Sequence, residues 1–452
     1  AAAAPPRTHP MASAESTDVH SVDPGSAGAP FGEDGGWEWP EDNDMVEDES
    51  KPYENKYRVR RLLQEIRDGD GVDLDVRAEA DQRLGHLSFA VEEPHVAEEQ
   101  LSSAIEHFLP GWLERVYEVA GPELDTPQEP GEPLPPPTAK GISLPDMPDG
   151  AEARLGKPRN VLVLTRALGS MSVLCSSRTQ LRRALIVLML AERIGGREAE
   201  SDIVTSELGV AHTHTLFFLA QAYGNLGEVA SSARYCQMTL KRQLASAADV
   251  EPTPTTALEW ATNCLGLAAY YLGSGSLATC ARCLQAAGAI VEAHGVTGEE
   301  RQRFEADANV RWGHLFAAPL REAFLRRERL NAGHGGGDGD GDDEDRAGAS
   351  RRAATELAVD FETLRLGELP APELLDPAAV QGFPEARAVF IKGNSALERA
   401  AEYYVLDGFV TDHVSIRRDQ SQLYRYLGLF EQDLKRKLAM QQRRGDMLRP
   451  FL

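Results

Sequence analysis

The chain has 452 residues, 71 of them acidic and 47 basic, for a formal charge of −24. That balance excludes nucleic acid as the principal ligand, since phosphate is held by a basic surface, and disfavours anionic membranes and the acidic surface of microtubules; a cationic partner face suits it. Low aromatic content, 7%, and periodic segments rich in Ala, Leu, Glu and Arg favour an all-helical protein, either two or three ordinary domains or one solenoid that grows without a single central core.

Residues 1–50 are rich in Ala, Pro, Ser, Gly, Asp and Glu and read as a disordered acidic tail. Met11 is the expected initiator. Trp37 and Trp39, set among acids, read as part of this solvated tail in preference to a short docking motif. No apolar signal core precedes the acidic run, and no later stretch looks long and apolar enough to span a bilayer, so a cytoplasmic protein is expected.

From Lys51 an amphipathic helix begins, with Tyr57, Leu62, Leu63 and Ile66 as its expected core positions. A first hairpin follows, in which Leu84, Leu87 and Phe89 should face Leu101, Ile105 and Phe108, with Pro94 at the turn. Residues 121–158, which contain TPQEPGEPLPPPTAKG, have no helical period and predict an exposed, mobile loop.

The stretch HTLFFLAQAYGNLGEVASSARYCQMTLKRQL, His214 to Leu244, carries the spacing of one helix-turn-helix repeat. Leu216, Leu219 and Tyr223 share a helix side, Ala220 is the small crossing residue, Gly227 falls at the turn, and Ser232 and Cys236 return against the first helix. The next segment repeats the scheme at roughly 45 to 50 residues, with Leu267, Ala268 and Tyr271 in the first helix, Gly275 near the turn, and Cys280 and Leu284 in the second. An earlier copy places Met171 and Ser172 before Ala184, Leu188 and Ala191. Three degenerate copies predict a TPR-like α-solenoid of antiparallel hairpins, because one hairpin cannot bury its apolar face alone. The N-terminal hairpins should occupy 51–300.

A long connecting helix should then cover 301–330, starting at Glu299, with Phe304, Val310, Trp312, Leu315 and Leu320 apolar and a kink or division at Pro319. The Gly/Asp-rich run 331–350 reads as a disordered loop; it lacks the acidic twelfth position of a calcium loop. C-terminal hairpins should fill 351–452. Arg351 to Leu375 should be helical with an interruption, Gly408 should cap a helix, and Thr411 or Asp412 should open the next, which continues into KRKLAMQQRRGDML. Lys435, Arg436, Lys437, Arg443 and Arg444 then form a solvent face and intramolecular ion-pair partners.

Catalytic anchors are missing: no phosphate loop, GxSxG elbow, HExxH pair or kinase motif set occurs. No metal or cofactor is expected. Cys175, Cys236, Cys264, Cys280 and Cys283 all fall in repeat helices and read as small apolar residues of a reducing compartment; the Cys280–Cys283 CxxC has no second pair to complete a zinc site. His212 and His214 point to nearly opposite sides of a helix, a poor chelate, and are assigned a capping or groove role. Where the first helix of a repeat lines the inner surface, the groove-facing candidates are Phe217, Phe218, Gln221 and Asn225, with the two phenylalanines free to divide between core and ligand.

The words THTLFFLAQAYGNLG, YCQMTLKRQL, EWATNCLGLAAYYL and LDGFVTDHVSIRRDQSQLYRYLGLFEQDLKRKLAMQQRRGDMLRP resemble the KIF-binding protein family of kinesin-binding TPR proteins, from about Lys51 to Leu452. The resemblance implies a right-handed α-solenoid that grips the kinesin motor domain by the elements it uses on the microtubule. It also implies further helices beyond Leu452 in other members. By the family's pattern, the inner aromatic and the amide one turn later fall on Phe218 and Gln221, and a second amide on Gln243. The inner hydroxyl of the next hairpin falls on Gly266, which has no side chain, and Phe218 stands where a Tyr is usual. The implied function is non-catalytic inhibition of kinesins. The alternative is a general TPR adaptor or co-chaperone that clamps a peptide carboxylate with groove Lys and Arg.

Overall fold

The computed structural model describes residues 39, 53–121, 139, 141–199, 206–246, 252–331, 361, 364 and 366–451. The remainder of the acidic tail, the Gly/Asp-rich run 332–350 and most of the helix expected after Arg351 lie outside the described residues. All regular structure described is helical, and the chain divides into two compact units, residues 1–235 and 236–452.

The first unit holds α1 (Glu54–Asp68), α2 (Leu74–Ala90), α3 (Pro94–Phe108), α4 (Trp112–Ala120), the short α5 (Ala151–Arg154), α6 (Pro158–Ser177), α7 (Leu181–Ala199), α8 (Glu207–Asn225) and the start of α9 (Val229–Ser246). Successive helices pack as hairpins, α2 on α3, α6 on α7 and α7 on α8, while α6 also joins α2 and α3. Local chemistry sets the boundaries. Asp73 caps α2 by accepting from the Asp75 amide at 2.8 Å, and Pro94 and Pro158 open α3 and α6 where an amide hydrogen would have no partner. Phe108, Trp112, Leu164 and Leu168 are fully buried in the main core, each contributing about 1.5–3 kcal/mol. Met171, Ser172, Ala184, Leu188 and Ala191 are buried as the repeat spacing predicts.

Polar ties bind the same helices. Asp75 accepts from Lys157 Nζ at 2.6 Å, His107 Nε2 at 2.9 Å and Asn160 Nδ2 at 3.1 Å, joining α2, α3 and α6 through one carboxylate. Glu79, nearly buried on α2, is paired with Arg83 at 3.0 Å and with Arg159 of α6.

Several expectations change here. Leu84 and Leu87 pack with Val59 and Leu63 of α1, and α2 meets α3 through Gly85, whose added Cβ would lie 2.6 Å from Leu101. Tyr57 is exposed, and Val59 takes the core position. Residues 141–157 are not a loose loop: Ile142, Leu144 and Met147 pack on the core, and Trp112 Nε1–H donates to the Pro145 carbonyl at 3.5 Å. Trp39 is no solvated tail residue, since it packs on the α1–α2 cluster with the Arg83 guanidinium 4.6 Å from its ring centre. Contrary to the composition-based expectation, α6 is long and apolar enough to cross a membrane; here that apolarity serves the core, where most of the helix is buried.

The second unit continues with the end of α9, α10 (Pro254–Gly273), α11 (Leu277–Ala293), α12 (Gly298–Asn331), the short α13 (Pro372–Leu375), α14 (Phe383–Tyr403), α15 (Val410–Phe430) and α16 (Leu434–Leu448). Gly275 turns α10 into α11 with φ 78°, a conformation that costs glycine little. Packing then runs α11 on α12, α12 on α14, α14 on α15 and α15 on α16. Pro319 neither divides α12 nor ends it: the missing hydrogen bond costs about 3 kcal/mol, and Leu315, Phe316, Leu320 and Phe324, all buried around it, offset that loss.

Residues 366–371 are not helical, so only Pro372–Leu375 of the expected 351–375 helix forms among the described residues. Gly408 does not cap α14, which stops at Tyr403 with Tyr404 as its C-cap; the buried Tyr404 donates its hydroxyl to Asp307 at 2.5 Å, and Gly408 lies in the following turn with φ 105°. Asp412 sits in the first turn of α15, behind the capping position at Phe409, where it still meets the helix dipole. The expected single C-terminal helix is two. Glu431 Oε1 accepts from the amides of Gln432 and Asp433, and Asp433 caps α16 by accepting from Lys435 and Arg436 at 2.8 and 3.1 Å.

Candidate partner-binding face

α8 starts at Ser206, whose hydroxyl accepts from the Gly209 amide at 3.0 Å. Its buried side carries Leu216, Leu219 and Ala222, and the Ser232 hydroxyl of α9 donates to the Ala220 carbonyl at 2.7 Å, the close small-residue crossing that the repeat spacing requires. Gly227 makes the turn with φ 76°. Tyr223 and Tyr235 stack at 5.5 Å with planes 6° apart. Burial, with Glu192 nearby, raises both hydroxyls above the ordinary tyrosine range, Tyr235 to about 12, so both are neutral at physiological pH.

On the opposite side, His214, Phe217, Gln221 and Asn225 follow one another at three- and four-residue steps and so form one stripe. His214, Gln221 and Asn225 are exposed and Phe217 is half-buried. Phe218 is turned toward the cluster of Leu185, Leu188 and Leu219, with its ring 5.7 Å from that of Phe217. The two phenylalanines therefore divide between surface and core, Phe217 on the open side. His212 is buried against Gly195 and Gly196 of α7, which removes it from the groove role assigned above. His214, the other residue assigned a capping or groove role, is exposed and lies on the stripe three residues before Phe217.

In the second unit α9 ends with Gln237 donating to the buried Tyr271 hydroxyl and with Gln243 half-buried. The Gln243 Oε1 is enclosed and accepts no hydrogen bond among the described residues. An enclosed acceptor left so costs about 1–3 kcal/mol. α10 is capped by Thr253, which accepts from Thr256 at 3.2 Å, and exposes Glu259, Thr262, Gly266 and Gly273 along one side. A Cβ at Gly266 would meet nothing within 4 Å, so this stretch of helix backbone is bare. Cys264, Cys280 and Cys283 are buried, their thiols pushed up by burial, as packing residues should be. No cluster of metal-ligating side chains occurs among the described residues.

Residues 258–452 match the family model described as KIF-1 binding protein C terminal. The chain is 26% identical to the KIF-binding protein of Gallus gallus over 441 residues, 89% of this chain and 67% of that protein. It is 31% identical to the KIF-binding protein of Danio rerio over 283 residues, 57% and 43% of the two chains, and 28% identical to that of Homo sapiens over 260 residues, 53% and 40%. The match thus spans less than half the length of the zebrafish and human relatives. No solved structure gives a significant match. The chain is thus similar to the KIF-binding proteins, and its residues 258–452 match the model of that family's C-terminal region.

Proposed function

We propose that this chain binds the motor domain of a kinesin, covers the face that the motor uses on its microtubule, and in that way regulates microtubule-based transport in the cytoplasm. It acts by occupancy alone, with no catalytic step. The observation that carries the reading is the α8 stripe of half-buried Phe217 and exposed Gln221 and Asn225, which offers hydrogen bonds and apolar contact together. The names of the relatives supply the partner class, and the charge of −24 favours encounter with a cationic surface.

The general peptide-clamp reading has no such support: neither α8 nor α10 contains a lysine or arginine to hold a terminal carboxylate. The test is co-sedimentation of purified kinesin motor domains with microtubules at increasing concentrations of the chain. Release of the motor supports the proposal, and a motor that stays on the microtubule while the chain stays free overturns it.

A further inference from the structure

Within the second unit, α14 presents a face to which the reading above assigns no task. Ile391, 41% exposed, stands between two adjoining clefts of about 520 and 390 Å³. One is floored by Phe390 and Leu427 and walled by Met440 of α16; the other lies along Trp312 and Phe316 of α12. The charged side chains around both are Arg387, Lys392, Arg399, Arg436, Arg443 and Glu431. Five cations and one anion thus edge an apolar groove on a chain whose charge is −24. Arg387 and Lys392 have no ion-pair partner among the described residues.

Glu431 indicates what kind of anion fits. It is 6% exposed, its Oε2 accepts no hydrogen bond among the described residues, and the nearest cation, Arg436, stands 3.9 Å away. A phosphodiester group carries no donor for that oxygen and would be repelled by it. A peptide brings backbone N–H groups along with its carboxylates and apolar side chains, and so meets the carboxylate, the arginines and the floor at once.

We propose that the α14–α16 groove is a docking site for an acidic peptide segment with an apolar anchor, in which Arg387 and Arg436 pair with its carboxylates, Glu431 accepts a backbone N–H, and the side chains beside Ile391 seat the anchor. This surface takes a ligand of the opposite charge to the one proposed for the α8 face, so the two are separable by experiment.

The probe is a fluorescein-labelled Glu- and Asp-rich peptide with a Leu and Phe stripe, titrated by anisotropy into the full chain. A peptide with the same apolar stripe and Lys in place of the acids, and vesicles of equal phosphatidylserine and phosphatidylcholine, are run beside it. The acidic peptide should bind, and Arg387→Glu with Arg436→Glu should weaken it about a hundredfold, roughly tenfold for each reversed rim charge. The far-UV circular dichroism spectrum and motor capture should be unchanged. Glu431→Gln should weaken the peptide too, because a neutral acceptor replaces a charged one. Equal binding of acidic and basic peptides, indifference to the arginine reversals, vesicle binding without peptide binding, or tighter binding by Glu431→Gln would each overturn the assignment.

Discussion

Gly313 of α12 and Gly393 of α14 face one another where the two helices cross: a Cβ built on either would lie 3.5 Å from the carbonyl oxygen of the other. On Gly313 that Cβ would also lie 2.6 Å from Leu397, which is buried and has nowhere to retreat. Gly313→Ala gains about 1 kcal/mol of helix propensity but forces overpacking that costs about 1–3 kcal/mol, and here the second effect should win. Gly266→Ala, with open space around it, should gain the propensity alone and stabilise by about 0.5–1 kcal/mol. Urea titration of both variants checks the contrast; two shifts of the same sign would mean that the helices do not meet as described.

The difference between these two glycines also marks what sequence conveys. Hairpin spacing was legible at Leu216, Leu219, Gly227 and Ser232, because a helix turns every 3.6 residues and a tight turn needs a left-handed glycine. Gly313 and Gly393 were not legible, since their pairing joins residues far apart along the chain and neither stands in a turn. Glu431 and Asp433 broke an expected continuous helix for a similar reason: an acid in a charged run looks like surface until its oxygen is seen to hold the amides behind it. Of the candidate residues, those of the α8 stripe followed from helical periodicity, whereas the enclosed oxygen of Gln243, in the second unit, depends on neighbours that no local pattern specifies.

Trp39 is part of the first unit, although its acidic setting reads as tail. Its ring covers the cluster of Val59, Leu63, Leu84 and Leu87 and carries the Arg83 guanidinium on its face. Trp39→Ala should therefore cost about 1–3 kcal/mol through lost apolar burial and the cation–π contact. Limited proteolysis should show faster cleavage near α1. Unaltered stability and cleavage would return Trp39 to the tail.

Asp75 makes the first unit sensitive to acid. Burial pushes its carboxyl up, but the hydrogen bonds from Lys157, His107 and Asn160 together outweigh it and hold the group at about 2. An unfolded aspartate titrates near about 3.9. The depressed value means that the folded state keeps Asp75 ionised where the unfolded chain has taken up a proton. The stabilisation is fully present above about pH 4 and is lost as the pH falls toward 2. Asp75→Asn should melt earlier than the parent at pH 7, with the gap closing between pH 4 and pH 2. A gap that persists unchanged at pH 2 would place the effect in packing and not in charge.

The α8 face yields the sharpest test of partner binding. Gln221 is exposed, so Gln221→Ala removes a donor and acceptor from the surface with little effect on the fold. Gln243→Ala removes an enclosed oxygen that accepts no hydrogen bond, so folding should be unchanged or improved by about 1 kcal/mol. Together the two substitutions should weaken motor capture by at least about tenfold, as loss of central interface contacts commonly does, while circular dichroism stays the same. Gly266→Thr works in the other direction. It places a hydroxyl on bare helix with no neighbour within 4 Å of its Cβ, and one added hydrogen bond should tighten capture by about three- to tenfold. A motor that binds both the double variant and Gly266→Thr like the parent would mean that the kinesin is held elsewhere on the chain.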